Sequence, residues 1–253
     1  MSKFTLLIQG PVLRNLIVMA NQHKYLDTVV STWHYPVLDE EASLFARPNL
    51  KLVANHTPDT TEIYNNQNRY FQFKSTYSGL LEVKTEYVIK VRSDEYYFNL
   101  NPAAAKFLSD PNKVLTNNVF FRKTKYMPYH PSDHLIVAKT ELLKTVYEKC
   151  IHQCEKDGDK LEEGYFNQIP KRLVPEQQFA INVIKTLEKK SFRLPTKFKD
   201  LEKMREITRK HFDIINNQQL GKYFVTSKKH GKFDNNMNFL LPEIDVINCL
   251  EEL

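Results

Sequence analysis

Lys90-Val91-Arg92-Ser93-Asp94-Glu95-Tyr96-Tyr97 follows directly on the strand-like run Glu86-Tyr87-Val88-Ile89. Two adjacent carboxylates, with an arginine and aromatic residues beside them, therefore stand at the carboxyl end of a strand read as buried. In open α/β sheets ligands collect outside that end. An acidic pair there holds a hard divalent cation through oxygen, and such a cation neutralises a diphosphate. The competing reading is a strand that leaves the core through a solvated acidic turn. For Arg92 the alternatives are a phosphate contact or an ion pair with Asp94 or Glu95.

These residues need a scaffold, and the pattern around them supplies an α/β one. Strands are expected near Phe4–Ile8, Thr28–Thr32, Leu50–Ala54, Tyr87–Val91, Val114–Phe121 and His134–Ala138. Helices are expected near Asn15–Lys24, Tyr64–Lys84, Pro102–Leu108, Lys139–Gln153 and Glu176–Lys189. From Leu194 the chain reads as basic and irregular. In the long helix, Tyr70, Phe73, Tyr77, Leu80 and Leu81 form an apolar stripe. The opposite face carries Asn68, Gln72, Ser75 and Gly79, where a solvated face would carry Lys and Glu. Small polar groups suit a face approached closely, either by a ligand or by a packed neighbour.

Composition narrows the classes. At 253 residues with 42% hydrophobic and 12% aromatic content, the chain can fill a core. The expectation is a catalytic domain over residues 1–190 with an extension, 191–253, packed on it. No run has the length of a membrane span, and Met1–Ile8 reads as a first strand, not a leader. A cytoplasmic protein is expected. Its net charge of +6 and pI near 9.0 favour acidic partners and allow peripheral contact with a membrane surface. The six glycines are too scattered for a dinucleotide fingerprint or a Walker-type loop. Cys150, His152 and Cys154 have metal-like spacing without a second cluster, as do His130, Asp133 and His134. No basic-aromatic cluster or reading helix marks a nucleic-acid binder, so no nucleic-acid partner is expected.

Taken in order, several segments resemble the WavE-type family of lipopolysaccharide-synthesis glycosyltransferases. They are the turn Leu7-Ile8-Gln9-Gly10-Pro11, the strand end Ser31-Thr32-Trp33, and Asn68-Arg69 with Ser75-Thr76-Tyr77-Ser78-Gly79-Leu80. The strand Tyr87–Asp94, Ser132-Asp133-His134 and Pro175-Glu176-Gln177 complete the set. The resemblance covers the chain roughly up to Ala180. It implies a GT-A-like, Rossmann-related mixed sheet flanked by helices, with a helical or irregular C-terminal extension. It also implies transfer of a sugar from a nucleotide-sugar donor to a hydroxyl of a surface polysaccharide, glycolipid or glycoprotein glycan.

Carried over residue by residue, Gln9, Gly10 and Pro11 would lie by the nucleotide, and Asn68 and Arg69 would face the donor. Arg92, Ser93 and Asp94 would take the place of an Asp-x-Asp element. Asp94, with Glu95 as the second carboxylate, would hold Mn²⁺ or Mg²⁺. The chain departs from a strict Asp-x-Asp, and adjacent strand residues face opposite sides. Glu176 resembles the acidic position before the last helix and is the first candidate for general base. Asp133 is the second, and with His134 it is a candidate for contact with the acceptor. A catalytically inactive nucleotide- or sugar-binding module on the same fold is the alternative, followed by a basic nucleic-acid-binding protein.

Overall fold

The computed structural model describes residues 3–11, 14–33, 45–56, 67–119, 121–122, 124, 127–157, 174–188, 191–195 and 197–220. The expected helix start at Tyr64, the basic run Ser227–Lys232 and the tail from Asn238 lie outside these residues.

Seven strands form one mixed sheet: β1 (Phe4–Gln9), β2 (Asp27–Trp33), β3 (Leu50–Asn55), β4 (Tyr87–Arg92), β5 (Val114–Asn117), β6 (Leu135–Lys139) and β7 (Phe212–Ile215). The order is β3-β2-β1-β4-β6-β5-β7. The first four strands run parallel, β6 is antiparallel to β4 and β5, and β7 is parallel to β5. Strand order reverses between β1 and β4, the topological switch at which α/β sheets open a crevice. The ends of β1, β4 and β5 and the start of the antiparallel β6 meet along that edge. The mixed, helix-flanked α/β sheet implied by the sequence is thus what forms.

Among the described residues six helices cover the two faces: α1 (Arg14–Gln22), α2 (Gln67–Leu81), α3 (Asn101–Ser109), α4 (Thr140–Asp157), α5 (Pro175–Leu187) and α6 (Leu201–His211). Strand alternation divides the core in two. Phe4, Leu6, Ile8, Ile89 and Val91 pack with Leu16 and Met19 of α1 and Phe107 of α3. Leu7, Val88 and Ile136 pack with Phe73 and Leu80 of α2, Val146 of α4, Phe179 of α5 and Met204 of α6. Gln9, Lys90 and Arg92 share the parity of Leu7 and Val88, so the switch-point polar residues project toward α2, α4 and α5. No helix among the described residues is long and apolar enough to cross a membrane.

The irregular reading after Leu194 is corrected: that segment contains α6 and β7. Six of the eleven α6 residues are Asp/Glu/Lys/Arg, which masks a buried stripe of Met204, Ile207 and His211 at helical spacing. β7 of this segment pairs with β5 in the sheet.

On the small polar face of α2, the packed-neighbour alternative holds at Ser75 and Gly79. Ser75 and Thr76 are wholly buried, and a Cβ on Gly79 would lie 2.5 Å from Leu7 Cδ1 and 2.9 Å from Ser31 Cβ. The face is small because the helix sits hard against β1 and β2, while Tyr70 and Phe73 on its other side meet α4. Gly79→Leu is expected to overfill that contact at a cost of about 1–3 kcal/mol. Thermal denaturation should then show a fall of roughly 2–12 °C. An unchanged melting temperature with a raised donor KM would return this position to the cleft.

Candidate active site

The floor of the crevice is the end of β1. Ser93 N–H donates to Gln9 O at 2.9 Å and Gly10 N–H to Ser31 O at 3.1 Å. Gly10 has φ +135°, and a Cβ there would stand 2.3 Å from Ser93 Oγ, so the turn requires glycine. Gln9 Nε2 donates to Ser75 Oγ at 3.0 Å, and Ser31 Oγ donates to Ser75 O at 2.6 Å. Gln9 and Ser93 are therefore buried parts of the floor, whereas Pro11 is exposed. Asn68 lies in the first turn of α2. Arg69, one residue on, is close enough to α4 for its charge to act on the Cys150 thiol, which burial pushes up to about 12.

Charged groups gather above this floor. Arg92 forks Asp94, with Nε to Oδ1 at 2.9 Å and Nη2 to Oδ2 at 2.8 Å. Its Nη1 is 3.9 Å from Asp133 Oδ2. Lys90, wholly buried two residues earlier, donates from Nζ to the Asp133 main-chain oxygen at 2.7 Å. Gln72 of α2 reaches across to donate to Asp133 Oδ2. The other carboxylate oxygen of Asp133, Oδ1, is buried with no hydrogen-bond partner among the described residues and lies 3.8 Å from His134 Nε2. Burial alone would raise the pKa of this carboxyl. Lys90, His134 and Arg92, with the Gln72 hydrogen bond, outweigh it and hold Asp133 ionised, well below the usual carboxylate range.

Glu176 experiences the opposite balance. It enters on the first turn of α5, after Pro175 at a position where proline costs no helical hydrogen bond. Gln177 Nε2 donates to Pro128 O at 2.9 Å, tying that turn to the loop that carries Asp133. Burial, reinforced by the charge of Asp133, pushes Glu176 up to about 7. His130 Nε2 stands 3.8 Å from its Oε2. Two carboxyls at one crevice are thus driven apart, one fixed as an anion and one poised near neutrality, an arrangement that separates a charge-bearing group from a proton-transferring one.

Glu95 departs most from expectation. It is fully buried; Tyr97 Oη donates to its Oε2 at 2.6 Å, and its Oε1 bonds His134 Nδ1. Asn117 Nδ2 supports Tyr97 Oη at 3.1 Å and Asn217 Oδ1 at 3.0 Å, and Ser132 Oγ donates to Asn117 Oδ1 at 2.6 Å. Strand alternation turns Glu95 into this network while Asp94 stays at the crevice. Both Glu95 oxygens are thus committed in the core and both Asp94 oxygens accept from Arg92, so the expected Asp94–Glu95 pair does not face one cation in this arrangement. The residues present do not fit the expected Mn²⁺ or Mg²⁺ donor set, and no group of three or more His, Cys, Asp or Glu among the described residues is placed to hold a metal ion. His134 likewise spends Nδ1 on Glu95, leaving Nε2 toward Asp133. Cys150 and Cys154 are buried against α5, where Asn182 Nδ2 and Gln178 Nε2 approach their sulfurs at 3.2 and 3.8 Å. His152 points outward.

The structure brings Arg92, Asp94, Asp133, His134 and Glu176 together. The sequence assigns no role to Lys90 and places Gln72 only on the small polar face of α2. A lysine inside a run as apolar as Tyr87–Val91 was the available signal, since lysine is almost never fully buried unless paired.

With the site described, its relatives can be given. The chain matches the WavE lipopolysaccharide synthesis family over residues 5–222 and belongs to that family. No curated protein sequence matches it significantly. Among solved structures it is similar to S. aureus TarS, at 14% identity and TM-score 0.47, over 99% of this chain and 42% of the TarS chain. It is similar to the glycosyltransferase GlyE of Streptococcus pneumoniae TIGR4, at 13% identity and TM-score 0.46, over 95% of this chain and 52% of that one. It is also similar to the galactosyltransferase LgtC in complex with donor and acceptor sugar analogues, at 11% identity and TM-score 0.45, over 71% and 70%. The chain thus spans less than half the length of the TarS chain it matches.

Proposed function

We propose that the protein is a glycosyltransferase of GT-A-like architecture. It moves a sugar from a nucleotide-sugar donor to a hydroxyl of a surface polysaccharide, glycolipid or glycoprotein glycan. The observation that carries this reading is the pair of opposed carboxyls, Asp133 and Glu176, at the switch-point crevice of a chain in the lipopolysaccharide synthesis family. Glycosyl transfer builds oxocarbenium character at the anomeric carbon and negative charge on the departing diphosphate. Glu176 takes the acceptor proton, for which a group titrating near neutrality is suited. Asp133 presents to an acceptor hydroxyl its Oδ1, a buried oxygen that accepts no hydrogen bond among the described residues. With the base on the face opposite the leaving group, the configuration at the anomeric carbon inverts.

The experiment is a panel of UDP-, GDP-, CDP-, ADP- and dTDP-sugars, read first by thermal shift and then by hydrolysis of each stabilising donor. One donor is expected to raise the melting temperature and to be hydrolysed slowly without acceptor. Stabilisation with no hydrolysis or transfer would favour an inactive binding module instead. Stabilisation by none of them would reject the reading.

A further inference from the structure

Resting on the glycosyl-transfer reading, we infer that the side chain of Arg92, and not a divalent cation on Asp94 and Glu95, neutralises the diphosphate of the donor. In the reaction, the bond from the anomeric carbon to the diphosphate oxygen breaks and its electron pair stays on that oxygen. The acceptor oxygen forms the new bond to the anomeric carbon, and its proton passes to Glu176. The charge left on the diphosphate needs a positive partner at the carboxyl end of β4.

Three observations place Arg92 there. The first is its shape and exposure. A guanidinium has five N–H groups, and Asp94 takes one from Nε and one from Nη2. Among the described residues the other three, including both on Nη1, make no hydrogen bond, and the side chain is 29% exposed. A planar fork of this kind matches phosphate oxygens in a way that an ammonium does not.

The second is what Asp94 does. Both its oxygens lie on one edge of the guanidinium at 2.8–2.9 Å, which fixes the plane and turns the opposite edge, with Nη1 3.9 Å from Asp133 Oδ2, toward the crevice. A cation on the remaining lone pairs of Asp94 would stand beside the guanidinium, two positive centres side by side in a partly buried crevice. The third is Glu95, the other half of any acidic pair, whose oxygens are held by Tyr97 and His134 in the core. Lys90, buried below and bonded to the Asp133 main chain, adds positive potential beneath the same strand end.

Calorimetric titration with UDP, GDP, CDP, ADP and dTDP, each in EDTA and in Mn²⁺, tests the assignment on the wild-type protein. One nucleoside diphosphate is expected to bind in EDTA, with Mn²⁺ changing Kd by no more than about threefold. Arg92→Met should weaken that binding about 10- to 100-fold, the range for losing hydrogen bonds to a charged group. Arg92→Lys should recover part of it, since the charge returns without the fork. Binding seen only with Mn²⁺, or wild-type affinity in a folded Arg92→Met, overturns the role of Arg92 and leaves the glycosyltransferase reading standing. Binding of no nucleoside diphosphate under either condition overturns both. Should Arg92→Met fail to fold, the comparison of EDTA with Mn²⁺ on the wild type decides alone.

Discussion

Glu176→Gln is expected to lower kcat by ~10²–10⁴, the usual worth of a positioned general base, with donor binding retained. The substitution keeps the shape of the side chain on the first turn of α5 and removes only the capacity to take a proton. In the wild type, kcat/KM should rise with pH through an apparent pKa of about 7 and then level off, because the base works only when ionised. The groups facing it are Asp133 and Arg92, charged throughout that range, and His130 and His134. Loss of the rising limb in Glu176→Gln, with a residual flat profile, would identify the limb as Glu176. Stability should move the other way. A carboxyl raised from 4.5 to about 7 on folding contributes stability that is present below 4.5 and lost as pH rises through 7. Glu176→Gln mimics the protonated form, so it should melt at or above the wild type at about pH 8 and lose that advantage in acid. If neither Glu176→Gln nor Asp133→Asn slows transfer more than about tenfold, neither residue is the base.

The elements that could be read from sequence were those whose apolar period is undisturbed. β1, β2, β3, β4 and β6 were located to within about a residue at each end, because each is a short apolar run bounded by turn residues. The expected β5 is too long, since the ladder ends at Asn117, where the side chains of Asn117 and Asn118 bond Asn217 and Asn216, partners about a hundred residues away in sequence. α6 and β7 were hidden by charge density. The motif residues were legible as a set, but their orientation was not. Whether Asp94 and Glu95 share a ligand depends on the exit from β4, and the partners of Glu95 come from β4, β5 and β6 at once. Likewise, nothing local distinguishes a small polar helix face that meets ligand from one that meets a sheet. Gly79 was decided by Leu7 and Ser31.

Glu95→Leu provides the sharpest test of that orientation, and its expected result is a large loss of stability. Glu95 and His134 are an ion pair with 0% and 5% side-chain exposure, and breaking a buried pair from one side costs about 3–5 kcal/mol. For a domain of this size that is a fall in melting temperature of roughly 6–20 °C. The loss has identifiable sources. Burial opposes the charge on His134, and Glu95, with Asp133, more than restores it, so the pKa of the imidazole is held above 6.5. Without Glu95, His134 must lose its proton or remain a buried cation beside Arg92, and Tyr97 Oη loses its acceptor. Because the His134 pKa is raised, the stability it contributes is present below 6.5 and lost as pH rises through the folded value. The gap between wild type and Glu95→Leu should therefore narrow in alkali. Glu95→Gln keeps the acceptor for Tyr97 and should cost less. A metal ligand would behave differently: Glu95→Leu would melt with the wild type and lose only Mn²⁺-dependent turnover. That outcome would turn Glu95 back toward the crevice and remove the reason for assigning the diphosphate to Arg92.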